Sequence, residues 1–445
     1  MIKLMYHYHP YLSKKMRELG IKPTDIQNLD DLKKMPITEK GDWIKEVKDF
    51  VLQPNEKTII DTLGLGQKLL GLTNRAELRR RVQHEFFPVT FFSTSGRTSM
   101  PAPVFLTNYD LDLIQANTSR VASKLLEGIP KKICQNFFPH APHLAYWQFY
   151  FSARGMPDVF SFSLGTGRTE YQVQLMEKFG TTVIAGIPTY IKYLSDIARE
   201  KRIKSSVKMI LLGGEGVPEK MKQKIKDNFS QIGPEPKVIT TYGLSETKIA
   251  FFECEEGSGY HLYPHLHTWE VIDPKSRERV GPEEGGMLVF SNTDLRGTVF
   301  LRYFPGDIAV KGITYEKCPH CGSTAPRIIG RIERVADSGI LKSSAKIKGE
   351  LVSFSALDEL VSEVDGIKQY QVIIDRKDPC SPDRLLILVG FENGMKDKKA
   401  VKDNLVRKVK AFTNITPKVE EESAEKIFDN VMDFKGQRVK DKRKL

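Results

Sequence analysis

Five consecutive residues, Tyr242-Gly243-Leu244-Ser245-Glu246, set an aromatic ring, a tight glycine turn, a hydroxyl and a carboxylate side by side. The ring could stack on a base and the Ser245 hydroxyl could meet a phosphate oxygen. Glu246 could hold a divalent cation, because magnesium asks for only one or two carboxylates beside phosphate oxygens. The plain alternative is a strand running into a helix cap. A second stretch, Phe91 to Thr107, crowds hydroxyls at Ser93, Thr94, Ser95, Thr98 and Ser99 around Gly96. Hydroxyls and backbone N–H groups in a glycine turn make an anion cradle suited to a triphosphate, although such turns are more often surface loops. The stretch lacks the lysine of a G-x-x-x-x-G-K-[ST] loop, which argues against that phosphate-binding fold. Asp307, in "RYFPGD", could accept both hydroxyls of a ribose or cap its own turn.

A different chemistry follows the Tyr242–Glu246 corner. Cys254 and His261 are joined by a later pair, Cys318 and Cys321, in "CPHCG". Three sulfurs and one nitrogen suit a tetrahedral zinc ion, and a closed four-ligand site leaves no position for water, so its expected role is stability. His320 could stand in for His261, and a reduced pair in a metal-free turn is the rival. The chain has five cysteines, an odd number, and no secretory signal at "MIKLMYHYHP", which argues against a disulfide framework.

These residues need a scaffold. A chain of 445 residues is too long for one ordinary core, and 40% hydrophobic with 28% charged residues describes a globular protein. No apolar run reaches the roughly 20 residues that a membrane span requires. The net charge of +12 is spread without an arginine-rich tract or nucleic-acid module, so it fits attraction of a polyanionic small molecule. Residues 1–50 read as a helical preface, with helix starts near Thr24-Asp25 and Thr38-Glu39-Lys40. From about Phe91 to Gly330, short β-branched runs alternate with amphipathic stretches, as in "VIAGIPTYIKYLSDIARE" and "SVKMILLGGEGVPEKMKQKIKDNF". Strand, turn and helix in that order signify an α/β sheet with crossover helices. Residues 261–331 turn β-rich, with "TWEVIDP", "GGMLVFSN" and "TVFLRYFPGDIAV" breaking at Gly and Pro. Beyond Arg331, "KQYQVIID", "LLILVGFE" and the helix "DKKAVKDNLVRKVKAFTN" predict a small α+β domain. The expectation is thus an α/β fold. A large N-terminal domain, 1–331, has stacked sheets and crossover helices, and a small mobile domain covers 332–445.

In order along the chain, "STSGRTSMP", "GGEGVPEKM", "TTYGLSE", "LRYFPGDI" and "IIGRIERV" resemble the adenylate-forming acyl-CoA synthetases. The start "HYHPYLSKKMRELGIKPTDIQNLDDLKKMPITEKGDW" and "FFPHAPHLAYWQFYFSARGM" are similar to the phenylacetate–coenzyme A ligase branch in particular. The resemblance implies that Thr94, Ser95, Gly96 and Thr98 hold the β- and γ-phosphates of ATP. It implies that Gly214, Glu215, Tyr242 and Gly243 line the nucleotide, that Ser245 meets the α-phosphate, and that Glu246 binds Mg2+. Asp307 and Arg331 would grip the ribose. "DFKGQRVKDKR" matches the family's C-terminal pattern and makes Lys435 the lysine brought to the α-phosphate, with a hinge at Ile332 to Arg334. Some relatives in this branch carry a structural Zn2+, which supports the Cys254, His261, Cys318, Cys321 set. The acyl pocket would involve His143, Tyr146, Trp147 and Gly186, a ring-lined slot for an aryl or other apolar acid.

The implied reaction is ATP-dependent ligation of a carboxylic acid to coenzyme A through an acyl-adenylate. Transfer of the acyl group to a protein, transfer of AMP to a cofactor hydroxyl, and nucleotide binding without turnover are the alternatives. The phosphate loop departs from the family's Ser-Gly-Thr-Thr-Gly-Lys-Pro at Arg97, Ser99 and Met100. A cytoplasmic protein without nucleic-acid or membrane partners is expected, with homodimerisation left open.

Overall fold

The computed structural model describes residues 1–54, 74–93, 102–140, 142–334, 344–347, 350–376, 383–433 and 438–443. They fall in two compact units: Met1–Gly186 with Ile197–Gly214 and Phe229–Ile332, and Ile187–Asp196 with Glu215–Asn228 and Glu333–Leu445.

In the first unit, two short uncharged strands, Val183–Gly186 and Met209–Leu212, are buried at every position, as strands covered on both faces must be. They form the middle of a six-stranded sheet in the order Val159–Ser163, Lys132–Asn136, Val183–Gly186, Met209–Leu212, Lys237–Gly243, Ala250–Phe252. The first five run parallel and the last antiparallel. Parallel neighbours need long crossovers; the helices Leu144–Arg154 and Thr169–Phe179 supply two of them within this unit, and the other two, Pro188–Glu200 and Glu219–Ser230, fall largely in the second unit. The predicted α/β alternation is therefore present, and it brings every strand-to-helix turn to one edge of the sheet.

A second six-stranded sheet joins the chain's beginning to its middle. Thr38–Glu39 runs parallel to Tyr303–Phe304, which pairs with Gly286–Asn292; His267–Ile272 and Asp307–Ala309 add to that central strand, and Ile332–Arg334 closes the order. Its aromatic core contains Trp43, Phe290, Phe300 and Tyr303. "TVFLRYFPGDIAV" does not form one strand. Arg302 adopts φ 47°, a left-handed conformation, and its buried guanidinium bonds Glu270 at 3.1 Å and the Met35 carbonyl at 2.7 Å. The tertiary ion pair overrides the local β preference. The preface is helical at Ile2–Tyr8 and Pro10–Glu18, whereas Pro23–Asp25 is a single 3₁₀ turn. Thr38–Glu39 is spent on the sheet before the helix Lys40–Lys45 begins.

The second unit has a four-stranded sheet in the order Lys418–Glu421, Arg384–Phe391, Ile367–Asp375, Val439–Asp441. Its core includes Leu357, Tyr370, Val372, Ile387 and Leu405. The helix Lys398–Thr413 starts where Asp397 accepts the Ala400 N–H at 2.9 Å and stops at Asn414, φ 57°, in keeping with the sequence pattern. Among the described residues, no helix is long and apolar enough to cross a membrane.

Candidate active site

Open parallel sheets bind ligands beyond the carboxyl ends of their strands, and at that edge of the first unit the Tyr242–Glu246 corner, Asp307 and Ser93 meet. The strand Lys237–Gly243 delivers Tyr242, whose hydroxyl donates to Asp307 Oδ2 at 2.8 Å across 65 residues of chain. Two glycines keep this edge low. A Cβ on Gly213 would stand 2.2 Å from Thr241 Oγ1, and one on Gly243 would stand 2.7 Å from Ala250 Cβ. Past Gly243 the chain makes a tight turn: the Thr247 N–H bonds the Leu244 carbonyl at 3.2 Å, and the Lys248 N–H bonds that of Ser245 at 3.0 Å. The turn presents Ser245 and Glu246. Glu246 is 4% exposed and accepts from the Tyr303 hydroxyl at 3.4 Å.

Ser245 Oγ donates to the Ser93 carbonyl at 2.9 Å, while the Ser93 N–H donates to the Pro142 carbonyl at 2.7 Å. The strand Pro88–Ser93, which leads into the hydroxyl-rich turn, is thus pinned between the serine–glutamate corner and the "PHAPH" segment. Thr94, Ser95, Gly96 and Thr98, with Arg97, Ser99 and Met100, lie outside the described residues, and so does Lys435. Arg331 is exposed, and its carbonyl accepts the Val310 N–H at 3.0 Å. Gly214 has φ 84°. Glu215 belongs to the second unit. There its Oε2 accepts from Thr189 Oγ1 at 2.6 Å and from the Thr189 N–H at 3.3 Å, and burial pushes its carboxyl up to about 7.

Tyr146 places its hydroxyl 2.9 Å from His140 Nε2 and 3.3 Å from the carbonyl of Ser163, the last residue of the sheet's edge strand. Gly186 ends the strand Val183–Gly186 on the same edge. His143 precedes the helix Leu144–Arg154, and Trp147 packs against Tyr146, ring centroids 5.3 Å apart, and with Phe92, Leu106, Ile114 and Leu144. His140 is the residue that the sequence reading missed, as it did the Tyr303 hydroxyl on Glu246. The doubled histidine of "PHAPH" was the available signal for the first, whereas nothing local marks the second.

Cys254, His261, Cys318 and Cys321 put one donor atom each within 4.8 Å of one another. Cys254 Sγ lies 3.5 Å from Cys318 Sγ, and Cys321 Sγ lies 3.7 Å from His261 Nε2. A disulfide would need about 2.05 Å; ligands at about 2.3 Å around a tetrahedral ion stand roughly 3.8 Å apart. Burial pushes the Cys254 thiol up to about 11. Cys318 is also disfavoured by burial, but the backbone N–H groups of Cys321 and His320 outweigh this and bring its thiol below the ordinary value. Burial, with the charges of Arg327 and Lys124, takes His261 down to about 4, which leaves its imidazole neutral and able to ligate. The donor set fits zinc. His261 completes it, and His320 is exposed. Cys134, by contrast, is a core cysteine whose thiol burial pushes up to about 12.

Residues 27–304 match the family model described as AMP-binding enzyme. The chain is 25% identical over 387 residues to the phenylacetate-coenzyme A ligase of Thermus thermophilus, covering 85% of this chain and 76% of that one. It is 23% identical over 395 residues to the Escherichia coli enzyme of the same name, covering 84% and 77%. Its fold is similar to that of 2-hydroxyisobutyryl-CoA ligase in the postadenylation state, with TM-score 0.76, 20% identity and coverage of 100% and 87%. With the family model spanning more than half of its length, this chain belongs to the AMP-binding, adenylate-forming enzymes.

Proposed function

We propose that the protein is an ATP-dependent carboxylate–CoA ligase, acting on an aryl or other apolar acid through an acyl-adenylate. The observation that carries this reading is the Ser93 junction. Ser245 holds it from one side and Pro142 from the other, so the strand that precedes the hydroxyl-rich stretch, the Tyr242–Glu246 corner and the "PHAPH" segment meet at Ser93. A carboxylate attacks a negatively charged phosphate poorly, so the site must offset charge that builds on the α-phosphoryl oxygens. Ser245 would donate there, Tyr242, Gly243 and Gly214 would border the base, and Asp307 and Arg331 would hold the ribose. Glu246, buried and near Tyr303, fits a Mg2+ ion, which when bound would neutralise phosphate charge. Lys435 would bring a cation to the α-phosphate from a C-terminal domain of residues 332–445. Thr94, Ser95, Gly96 and Thr98 would cradle the outer phosphates, and His143, Tyr146, Trp147 and Gly186 would border the acid. A zinc ion on Cys254, His261, Cys318 and Cys321 would brace the chain that follows the corner.

The test is pyrophosphate release across a panel of acids, beginning with phenylacetate, with and without CoA. Acid-dependent pyrophosphate, with thioester only when CoA is present, is expected. Acyl or adenylyl transfer that proceeds without CoA, or ATP binding without any acid-dependent pyrophosphate, would overturn the reading.

A further inference from the structure

Two residues behind the serine–glutamate corner carry charges into the protein interior. Lys248 and Asp110 are both 0% exposed, and Lys248 Nζ lies 2.9 Å from Asp110 Oδ2. Lys248 also donates to the Arg296 carbonyl. Asp110 is saturated by its surroundings: Oδ1 accepts the Arg296 N–H at 2.7 Å, and Oδ2 accepts the Thr107 N–H at 3.0 Å. The two residues belong to different halves of the candidate site. Lys248 closes the turn that presents Ser245 and Glu246, and it does so at φ 59°, a left-handed conformation that a lysine adopts only when its surroundings enforce it. Asp110 forms a capping box with Thr107, the last residue of the strand Pro103–Thr107. That strand pairs with Pro88–Ser93, so the two strands flank the hydroxyl-rich turn.

We propose that Lys248 and Asp110 are a positioning pair: their buried contact sets the Ser245–Glu246 corner in register with the strands that flank the phosphate-binding turn. Both side chains are fully buried, so neither is placed to touch a substrate. A buried ion pair is poor evidence for stability, since well-packed neutral replacements are often as stable. It does impose one geometry, and a misplacement of about 1 Å at reacting groups costs on the order of 10²-fold in rate.

The inference rests on the adenylation reading, and the experiment separates the two. Wild type, Asp110→Asn, Lys248→Met and the double variant are compared for melting temperature, for ATP affinity by calorimetry, and for acid-dependent pyrophosphate release at 25 °C. Lys248→Met alone strands a buried carboxylate and should lower the melting temperature. The double variant removes both charges and should recover most of that loss. If the pair positions the corner, the double variant keeps ATP affinity within about threefold yet turns over about 10- to 100-fold more slowly. Recovery of wild-type turnover together with melting temperature would overturn the proposal. Should Lys248→Met not fold, the isosteric Asp110→Asn is read in the same way, and a folded variant with unchanged turnover refutes the pair. A wild-type protein without acid-dependent pyrophosphate release would instead sink the adenylation reading.

Discussion

Tyr242→Phe removes one oxygen and leaves the ring in its aromatic surroundings, which include Phe251 stacked at 6.2 Å, Tyr260 and Trp269. What is lost is the 2.8 Å hydrogen bond to Asp307, a carboxylate 3% exposed. A hydrogen bond to a charged group contributes about 1.5–3 kcal/mol. Tyr242 is only half-buried, so water can take up part of the vacated position, and the lower end, about 1.5 kcal/mol, is the better figure. If Asp307 grips the ribose, its orientation matters equally in the ground and transition states. The loss should then appear in KM for ATP, about tenfold up, with kcat changed less than about threefold. The assay is pyrophosphate release at saturating acid and varied ATP. Asp307→Asn and the double variant complete a cycle, in which the two changes should be non-additive by about 1 kcal/mol. Should Tyr242→Phe lower the melting temperature and leave KM for ATP within twofold of wild type, the hydroxyl is a structural tie and the ribose assignment of Asp307 loses its support.

Cys321→Ser should reduce bound zinc from one ion per chain towards none and lower the melting temperature; metal-free protein from a purification without chelator would refute the four-ligand site. Lys435→Ala should abolish adenylate formation yet leave thioester formation from pre-made acyl-adenylate largely intact, and equal loss in both half-reactions would contradict its assignment. Glu215 gives a pH test. Burial lifts its carboxyl from an ordinary 4.5 to about 7, so the folded chain keeps a proton that the unfolded chain has released. Its contribution to stability therefore falls as pH rises through that window. Glu215→Gln should raise the melting temperature relative to wild type more at about pH 8 than at about pH 5, and a pH-independent difference would count against a buried carboxyl there.

Much of the first unit was readable because its signals are local. "VIAG" and "MILL" followed by amphipathic runs announce buried strands and crossovers, and the structure places them in the middle of the sheet. The run "TVFLRYFPGDIAV" breaks at Pro305 and Gly306 as its sequence reads, and also before Tyr303, where Glu270 and Met35, neither near it in sequence, claim the Arg302 guanidinium. Trp147 and Tyr146 touch edge to face, ring centroids 5.3 Å apart, but reach different partners beyond that contact. Neighbours on a helix point about 100° apart, so Trp147 joins Phe92 and Ile114 whereas Tyr146 reaches His140 and Ser163.

What the sequence determined by itself is the inventory and its order: the hydroxyl-rich stretch, the tyrosine–glutamate corner, the Cys318/Cys321 pair, and the alternation of strand and helix. Each depends on residue types within a few positions of one another, where backbone preference and side-chain chemistry act directly. The meeting of those parts was decided only by tertiary structure. Ser93 against Ser245, Tyr242 against Asp307, Tyr303 against Glu246 and Lys248 against Asp110 span from 57 to 152 residues. Contacts of that range follow from parallel strand order and crossover packing, which sum over the whole domain and leave no mark in any single short window of residues.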